Sequence, residues 1–344
     1  MSRPHTFQLR VTEVIHETAD AHSLVLQPRD EDAGHFDHRP GQFLTLSIPT
    51  DREGGAARCY SLSSAPVLGE GLKITVKRTA DGYGSNWVCD HLAAGDEIEV
   101  LAPSGTFTPR SLDGDFLLVA GGSGVTPVMS ILKSVLHAGS GRVALIYANR
   151  DEQSVIFRDE LIALEKQYRD RLHVVHLLES VQGLPSLESL TELATPYAGR
   201  QVFICGPTPF MDAVTAAVEA AGCAREHVHH EKFLSLGNDP FDDVSVELDS
   251  TGPAGIVEVE LDGRTTELAW PRSNKMLDVF LEAGLDAPFS CKEGNCSACA
   301  CIVLEGEVEM EHNEVLEAED IADGIVLACQ AIPLSDRVRI TYDQ

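Results

Sequence analysis

The segment Ser290-Cys291-Lys292-Glu293-Gly294-Asn295-Cys296-Ser297-Ala298-Cys299 contains three closely spaced cysteines, and Cys329 follows further along the chain. The spacing C-x4-C-x2-C with a remote fourth cysteine is typical of plant-type [2Fe-2S] ligands, because soft thiolates suit iron in such clusters. Gly294 and the small residues Ser297 and Ala298 allow the backbone to approach a cluster closely and to direct N–H groups at its sulfides. The segment therefore predicts that a [2Fe-2S] cluster is held by Cys291, Cys296, Cys299 and Cys329.

Two other kinds of cysteine site fit this chain less well. Zinc sites of four cysteines usually consist of two short C-x2-C pairs, whereas here three cysteines are bunched and one is remote. A disulfide framework is typical of short secreted chains, but this chain has an odd number of cysteines and residues 1–10 carry no apolar signal segment. Cys301, two positions beyond the third ligand on a predicted strand, is expected to serve packing.

Composition restricts the class of protein. A chain of 344 residues is long enough for two or three domains with separate cores. A formal net charge of −28 argues against nucleic-acid binding, because phosphates would be repelled. The absence of a long apolar run predicts no membrane span, and free thiolates fit the reducing cytoplasm. Acidic residues with no intervening lysine or arginine predict either a solvated face or a docking surface: Glu305, Glu307, Glu309, Glu311, Glu314, Glu317, Glu319, Asp320 and Asp323.

Residues 1–112 show short strands separated by turns. Apolar residues alternate over 42–48 and 72–77, and a further strand is expected at 97–101. This pattern predicts a small antiparallel β-barrel. The stretch 82–92 interrupts it with a short helix, capped by Ser85 or Asn86, whose N-terminus is a potential anion site.

Residues 113–233 alternate strands and helices and predict a doubly wound α/β domain. Strands are expected at 116–120, 143–148, 172–178 and 202–205, and helices from the glycine-rich turn to about 137 and at 157–168 and 209–221. After the first strand, the turn Gly121-Gly122-Ser123-Gly124-Val125-Thr126-Pro127 suits a dinucleotide pyrophosphate, with Thr126 as cap and Pro127 at the first helical position. Such turns also occur for structural reasons alone.

Cys205-Gly206-Pro207 follows the last clear strand of this α/β domain. Ligands in open α/β sheets bind beyond the carboxyl ends of the strands, so Cys205 is expected to face the same crevice as the glycine turn. A buried core thiol is the alternative for Cys205. In the stretch 227–231, His229 and His230 point to opposite faces of a strand, so a metal site is not expected there.

Residues 234–255 are polar, acidic and rich in turn residues, which predicts a linker spanning about 25 Å as a flexible coil. Residues 256–344 predict a compact α+β domain of the β-grasp type that carries the cysteines. It is expected to begin with a hairpin at 256–268 that turns at Asp262-Gly263. A helix at 276–283, strands near Ile302 and Ile325, and a closing strand at 338–342 complete it.

The order of these domains and their motifs resembles the ferredoxin-NADP reductase-like oxidoreductases that carry a C-terminal plant-type ferredoxin. Arg58-Cys59-Tyr60-Ser61 is similar to that family's R-x-Y-S flavin motif. The resemblance implies that Arg58 pairs with the FAD pyrophosphate, that Tyr60 stacks on the isoalloxazine ring, and that Ser61 bonds near flavin N5. A second FAD segment is similar at Val76, Lys77, Gly84, Ser85 and Asn86.

The same resemblance implies a nicotinamide site. Its loop residues are Gly122, Gly124 and Thr126, and the C-G-P-x-x-x-M motif is matched by Cys205, Gly206, Pro207 and Met211. Glu231 and Phe233 resemble the segment that closes over the flavin, and Tyr60, Ser61 and Cys205 are the implied catalytic residues. No acidic residue follows the strand at 143–148 to hold a ribose hydroxyl, and Arg150 there can attract a 2′-phosphate. NADH is expected by resemblance, with NADPH as the alternative.

The implied function is that of a reductase component of a multicomponent oxygenase, which moves electrons from NADH through FAD to the cluster. A plant-type cluster has a potential of about −400 mV and can reduce a Rieske centre, so the expected acceptor is a Rieske-type terminal oxygenase docked at the acidic ferredoxin face. The runs 58–62, 75–82, 155–157 and 286–291 most resemble reductases of steroid-hydroxylating oxygenases. A reductase of a di-iron oxygenase and a non-catalytic metal-binding adaptor are the alternatives. Lys292 and Ser297 depart from the usual Arg and Gly.

Overall fold

The computed structural model describes residues 6–50, 56–233, 236, 239–241, 248, 253–316 and 318–343. The first domain is an antiparallel sheet of six strands in the order β4-β3-β6-β1-β2-β5, and a bridge between Leu62 and Ile74 joins its two edges into a barrel. Its strands are β1 (Thr6–Thr18), β2 (Ala21–Gln27), β3 (Phe43–Ser47), β4 (Ala57–Ser61), β5 (Leu72–Lys77) and β6 (Glu97–Leu101). The predicted barrel is confirmed.

In the barrel domain, helix α1 (Tyr83–His91) begins one turn earlier than its predicted cap. Gly82 is the N-cap residue, so the prediction of Ser85 or Asn86 as N-cap was wrong. Both lie in the first turn, where the Ser85 hydroxyl accepts a hydrogen bond from the Thr79 amide at 3.1 Å. These side chains therefore tie the helix start back to the loop after β5.

The second domain is a five-stranded parallel sheet in the order β11-β10-β7-β8-β9, with an apolar core on each face. The predicted doubly wound architecture is confirmed. Its strands are β7 (Phe116–Gly121), β8 (Val143–Asn149), β9 (Leu172–Leu178), β10 (Gln201–Cys205) and β11 (Val228–Glu231). Its helices are α2 (Val125–Ala138), α3 (Arg158–Gln167), α4 (Glu179–Gln182), α5 (Leu187–Ala194) and α6 (Thr208–Ala220).

The start of α2 also differs from the predicted one. Gly124 is the N-cap residue, Thr126 is the second helical residue, and its hydroxyl donates to the Ser123 carbonyl at 3.0 Å. Pro127 occupies the third helical position, which is still in the first turn, where an amide would have no partner within the helix. The predicted roles of Thr126 as cap and Pro127 as first residue were wrong, but the position of the glycine turn before the helix is confirmed.

The third domain is an α+β unit in which β13-β12-β18-β14-β16 form one sheet and β15-β17 a small second one. Its elements are β12 (Ala254–Leu261), β13 (Arg264–Pro271), α7 (Met276–Glu282), β14 (Ala300–Glu305), β15 (Val308–Met310), α8 (Ala318–Ala322), β16 (Ile325–Leu327), β17 (Ala331–Pro333) and β18 (Arg337–Thr341). The hairpin turns at Asp262 and Gly263, whose φ angles of 52° and 68° are those of a type I′ turn. This turn matches the sequence prediction.

Most of the predicted linker at 234–255 lies outside the described residues. Within it, Leu236 is buried and Phe241 packs beside the cysteine loop, while Leu248 packs against the core of the third domain. At least these three side chains are held by tertiary contacts.

A charge cluster joins the barrel to the α/β domain. The ammonium of Lys133 on α2 is only 2% exposed and lies 2.6 Å from Glu70 and 3.2 Å from Glu160, while Lys73 lies 3.2 Å from Glu160. Nearby, the Ser130 hydroxyl donates to the Ser64 carbonyl at 2.6 Å. Because Glu70, Lys73 and Ser64 belong to the barrel domain and their partners to the α/β domain, this cluster fixes the two domains against each other.

Replacing Lys133 by methionine should destabilise this interface, because Glu70 and Glu160 would lose their buried counter-charge. Both carboxylates keep about a third of their surface in water, so we expect a loss of about 2 kcal/mol rather than the full penalty of a buried pair. The measurement is the thermal midpoint of the cofactor-loaded protein. Lys166→Met, at an exposed position on α3, is the matched control and should leave the midpoint unchanged. Equal midpoints for both variants would contradict the role of the cluster.

Candidate functional site

The glycine turn and the Cys205-Gly206-Pro207 segment meet at the carboxyl ends of β7 and β10. These strands are paired so that Ala120 lies beside Cys205. A Cβ atom on Gly124 would lie 2.1 Å from the Cys205 carbonyl oxygen, so no other residue fits there without moving backbone. Gly122 has a left-handed φ of 55°, which favours glycine. The structure therefore brings the two predicted nicotinamide motifs together in one crevice.

Tyr147 on β8 supports the glycine turn through a hydrogen bond to its backbone, a role that the sequence did not reveal. Its side chain is fully buried, and its hydroxyl donates to the Gly122 carbonyl at 3.1 Å while accepting from the Ile156 amide at 3.2 Å. Burial raises the pKa of this phenol, so it remains a donor. An apolar strand with a single tyrosine was the only signal for it.

Cys205 and Glu231 lie side by side at the ends of β10 and β11. Burial raises the pKa of the Cys205 thiol well above its ordinary value, and the neighbouring Glu231 adds to that shift. Burial also raises the pKa of the Glu231 carboxyl to about 8. Both side chains are therefore uncharged at neutral pH. The Cys205 thiol is fully buried in the apolar core that includes α2, as expected for a core thiol, and Glu231 lines a cavity together with Cys296.

Other residues predicted for the nicotinamide site lie away from the glycine turn and the Cys205-Gly206-Pro207 segment, or contact the barrel domain. Met211 is buried in the core on one face of the sheet, and Phe233 is 49% exposed beyond the end of β11. Arg150 reaches across to the barrel domain, where its guanidinium lies 2.9 Å from Asp20, and the Lys77 ammonium lies 3.9 Å from the same carboxylate. Met211 thus packs in the core, and Arg150 and Lys77 share the Asp20 carboxylate. The Lys77 ammonium also lies near the glycine turn, 3.8 Å from where a Cβ atom on Gly122 would be.

The two predicted FAD segments meet at Gly84 in the first turn of α1. A Cβ atom there would lie 2.8 Å from Cγ of Arg58, so the absence of a side chain lets Arg58 pass over the helix start. A guanidinium beside a helix N-terminus is a favourable place for a pyrophosphate. Burial raises the pKa of Tyr60, which packs against the barrel core, and Ser61 is buried at the end of β4. These residues fit the predicted flavin site.

The four predicted iron ligands are buried and arranged as two pairs. The thiols of Cys291 and Cys296 are hydrogen-bonded to each other, and those of Cys299 and Cys329 form the second pair. Among the described residues, no group of three or more ligating side chains converges on a single metal ion. Two pairs of thiols suit the two irons of a [2Fe-2S] cluster, whereas structural zinc requires four ligands on one ion.

Backbone N–H groups point at these sulfurs. The amides of Glu293 and Asn295 both lie 3.3 Å from the Cys291 sulfur, and the Cys291 amide lies 3.3 Å from the Cys296 sulfur. The Cys296 thiol and then the two amides lower the pKa of Cys291 to about 6. The same thiol–thiol hydrogen bond, with burial, raises the pKa of Cys296 well above its ordinary value. The amide contacts thus favour the thiolate, the form that binds iron, at Cys291.

Left-handed backbone shapes the cysteine loop. Gly294 has a φ of 79°, and the two departures from the family pattern, Lys292 and Ser297, have φ angles of 57° and 53°. A side chain in this conformation costs about 1 kcal/mol relative to glycine, which explains why a glycine is usual at position 297. The Lys292 ammonium lies 3.6 Å from Asp278 on α7, a contact that anchors the loop to the domain. Cys301 is fully buried in the core, in agreement with its predicted packing role.

The cysteine loop packs against the barrel, beside the flavin motif. Cys291, Cys296 and Ala298 form a buried apolar cluster with Phe43 and Ala57 of strands β3 and β4. A cavity of about 140 Å³ separates Cys296 from Glu231. A second contact is ionic: Arg110 lies 3.8 Å from Glu319 and also bonds Asp323. The iron ligands and the candidate flavin site are therefore close neighbours.

The histidine-rich stretch has ordinary hydrogen bonds. His229 bonds the Gln201 side chain at 3.1 Å, and His230 bonds the Thr215 hydroxyl at 2.8 Å.

The described part of the chain includes no helix that is both long and apolar enough to cross a membrane.

Comparisons with known proteins agree with this geometry. Residues 8–108 match the oxidoreductase FAD-binding domain family, residues 118–216 the oxidoreductase NAD-binding domain family, and residues 259–334 the 2Fe-2S iron-sulfur cluster binding domain family. A solved structure of phthalate dioxygenase reductase has the same fold, with a TM-score of 0.59 and 24% identity over 98% of both chains. Fold and site thus define a three-domain oxidoreductase that uses NAD, FAD and a [2Fe-2S] cluster.

Full-length relatives narrow this class. The 3-ketosteroid-9-alpha-monooxygenase ferredoxin reductase component of Mycolicibacterium smegmatis is 56% identical, over 99% of this chain and 98% of that protein. A component of the Escherichia coli 1,2-phenylacetyl-CoA epoxidase is 34% identical, over 97% of both chains. The chain belongs to the family of 3-ketosteroid-9-alpha-monooxygenase ferredoxin reductase components.

Gly124→Ala should disable the nicotinamide crevice, because the added Cβ would overlap the Cys205 carbonyl. A displacement of about 1 Å in the crevice is enough to lower kcat/KM for NADH about 100-fold. Steady-state kinetics with an artificial electron acceptor measure the effect. Gly199→Ala is the control, since a Cβ there meets nothing within 4 Å. Unchanged kinetics in the Gly124 variant would show that the close approach is unimportant.

Glu231→Gln should change how stability depends on pH. The native pKa of about 8 lies above the ordinary value of 4.5, so the native state keeps a proton that the unfolded chain releases. The stabilisation from this carboxyl is complete below pH 4.5 and is lost as pH rises to about 8. Glutamine stays neutral at every pH. The free energy of unfolding of the variant should therefore rise relative to that of the parent protein between pH 4.5 and about 8, and the difference should stay constant at higher pH.

Urea unfolding midpoints at a series of pH values test this expectation. Glu226→Gln, an exposed change just before β11, serves as the control and should show no such trend. If the stability of the Glu231 variant instead rose relative to that of the parent protein as the pH fell, the native state would favour the carboxylate over the neutral acid.

Proposed function

We propose that this chain supplies electrons to the terminal oxygenase of a 3-ketosteroid 9α-monooxygenase, taking them from NADH. The 56% identity to a reductase named for that system, against 34% to the epoxidase component, favours it over the di-iron alternative. The FAD-binding and NAD-binding domains exclude the alternative of a metal-binding adaptor.

The observation that carries the proposal is the contact between the cysteine loop and strand β4. Cys291 and Cys296 pack against Ala57, next to Arg58 in the flavin motif. Electron transfer requires the two redox sites to lie close together. This contact brings the proposed iron ligands next to the proposed flavin site. Neither site would need the other in a protein that only bound metal.

Bound FAD supplies a two-electron acceptor that can release electrons singly to the one-electron [2Fe-2S] cluster. We assign Arg58 and the α1 start, with Lys77 nearby, to the FAD phosphates. Tyr60 is assigned to the flavin ring and Ser61 to its reactive edge. The remaining proposed FAD contacts are Val76, Gly84, Ser85 and Asn86, and the proposed iron ligands are Cys291, Cys296, Cys299 and Cys329.

The nicotinamide dinucleotide is assigned to the crevice between β7 and β10. Gly122, Gly124 and Thr126 would face its phosphates, and Cys205, Gly206 and Pro207 its nicotinamide. Glu231, uncharged at neutral pH, and Phe233 would close the site beside the flavin. The pairing of Arg150 with Asp20 at 2.9 Å favours NADH, because this guanidinium already has a counter-charge and has less need of a 2′-phosphate.

We further propose that the acceptor is a Rieske-type oxygenase that docks on the acidic face of the third domain. Arg110 engages Glu319 and Asp323 at one end of that face. The exposed carboxylates proposed to meet a basic partner are Glu305, Glu307, Glu309, Glu311 and Glu314, of which Glu305 also pairs with Arg339 and Glu311 with Lys275. Complementary charge of this kind mainly accelerates encounter, so salt should slow the reaction with the oxygenase.

Cys296→Ser tests the proposed order of electron transfer. The variant should lose cluster-dependent reduction of the oxygenase, because a serine oxygen is a poor substitute for a thiolate, while NADH still bleaches the flavin. Anaerobic titration with NADH, and separately with NADPH, followed by visible absorption and EPR, measures both steps and identifies the preferred nucleotide.

Cys301→Ala is the control, because this buried thiol packs in the same domain without being a proposed ligand. It should retain the reduced-cluster EPR signal. Undiminished electron delivery to the oxygenase by the Cys296 variant, or a parent protein without flavin absorption, would refute the proposed function.

A further inference from the structure

Strand β4 has two faces with different neighbours. Side chains alternate across a strand, so Arg58 and Tyr60 share one face while Ala57 and Cys59 share the other. Tyr60 packs against the barrel core, and Cys59 packs against the cysteine loop. One strand therefore separates the proposed flavin site from the iron ligands, and Cys59 is its side chain on the cluster side.

The adjacent strand β3 continues this surface. Leu44 and Leu46 point into the barrel core, whereas Phe43 lies in the cluster with Cys291 and Cys296. Thr45 is paired directly with Cys59 in the sheet, and its side chain is fully buried. Phe43 and Ala57 thus supply apolar surface that meets the cysteine loop, and the Thr45 hydroxyl and the Cys59 thiol lie on the same face.

A hydrogen-bonded chain crosses the interface at this point. The Thr45 hydroxyl lies 3.5 Å from the Cys59 sulfur and 3.2 Å from the Ser290 hydroxyl. Ser290 is 2% exposed and directly precedes Cys291 in sequence. A buried polar contact within an apolar interface fixes register, because displacement would leave its hydroxyls unpaired.

We propose that Cys59, Thr45 and Ser290 form a bridge that positions the cluster loop on the flavin strand and sets the rate of electron transfer from flavin to cluster. This inference rests on the proposed function. Electron tunnelling weakens steeply with distance, and bonded contacts transmit it better than gaps, so the chain from β4 to Cys291 is the favoured route. These three residues are positioning residues, since none is a proposed iron ligand.

The electron balance of the step is simple. One electron leaves the reduced flavin, and one iron of the cluster changes from iron(III) to iron(II). After the cluster has passed that electron to the oxygenase, it takes the second one. The flavin is then fully oxidised, and its protons have gone to solvent.

Thr45→Val is the decisive variant, because valine keeps the branched shape on the strand but removes both hydrogen bonds. In anaerobic stopped-flow experiments on the cofactor-loaded protein, flavin reduction by NADH should be unchanged. Flavin-to-cluster transfer should slow about tenfold, since the Thr45–Ser290 hydrogen bond, which holds the docked arrangement across the interface, is lost. Thr12→Val, the same change at an exposed position on β1, is the matched control.

Cys59 offers a rescue test. Cys59→Ala should slow the same step, whereas Cys59→Ser, which keeps a hydrogen-bonding group opposite Thr45, should restore most of the rate. If Thr45→Val does not fold, Ser290→Ala removes the bridge from the other side and gives the same comparison.

Hydrogen–deuterium exchange supplies a readout that does not depend on turnover. Amides in segments 43–47 and 287–296 should exchange faster in Thr45→Val than in Thr12→Val, with iron and flavin contents equal. An unchanged flavin-to-cluster rate in Thr45→Val would overturn the proposal. A parent protein whose flavin NADH does not reduce would instead refute the proposed function, and the exchange data would still decide whether the bridge positions the loop.

Discussion

The arrangement of the molecule depends on one constraint: strand β4 must present different side chains to its two faces. Its inner face places Tyr60 against the barrel core and its outer face places Cys59 against the cysteine loop. Because side chains alternate along a strand, these two surfaces lie only one strand apart. The proposed flavin and cluster sites therefore adjoin opposite faces of one strand.

The α/β domain is held to the same barrel by independent contacts. Lys133, with Glu70 and Glu160, fixes α2 against the barrel, and α2 begins at the glycine turn of the nicotinamide crevice. At its other side the crevice depends on the close approach of Gly124 to Cys205. The nicotinamide crevice and the flavin motif are thus each attached to a rigid element of the same two-domain unit.

The third domain is attached by weaker contacts. Its apolar contact with the barrel is small, and the ion pairs of Arg110 with Glu319 and Asp323 are largely exposed, so each contributes little free energy. Such an attachment suits a domain that must meet the flavin on one side and an acceptor protein on the other. The buried Thr45–Ser290 contact then provides register rather than strength.

The sequence by itself determined the features that depend on local spacing and backbone conformation. The cysteine spacing, the glycine turn before α2 and the Asp262-Gly263 hairpin are all short-range patterns with few physical solutions. The helix starts at Gly82 and Gly124 were missed, because by residue type alone Ser85, Asn86 and Thr126 are N-caps at least as good as glycine. Only the tertiary structure decided that Thr45 meets Ser290, that Tyr147 supports the glycine turn, and that burial makes Glu231 neutral. These properties arise from contacts between segments distant in sequence, where desolvation and packing have no local signature.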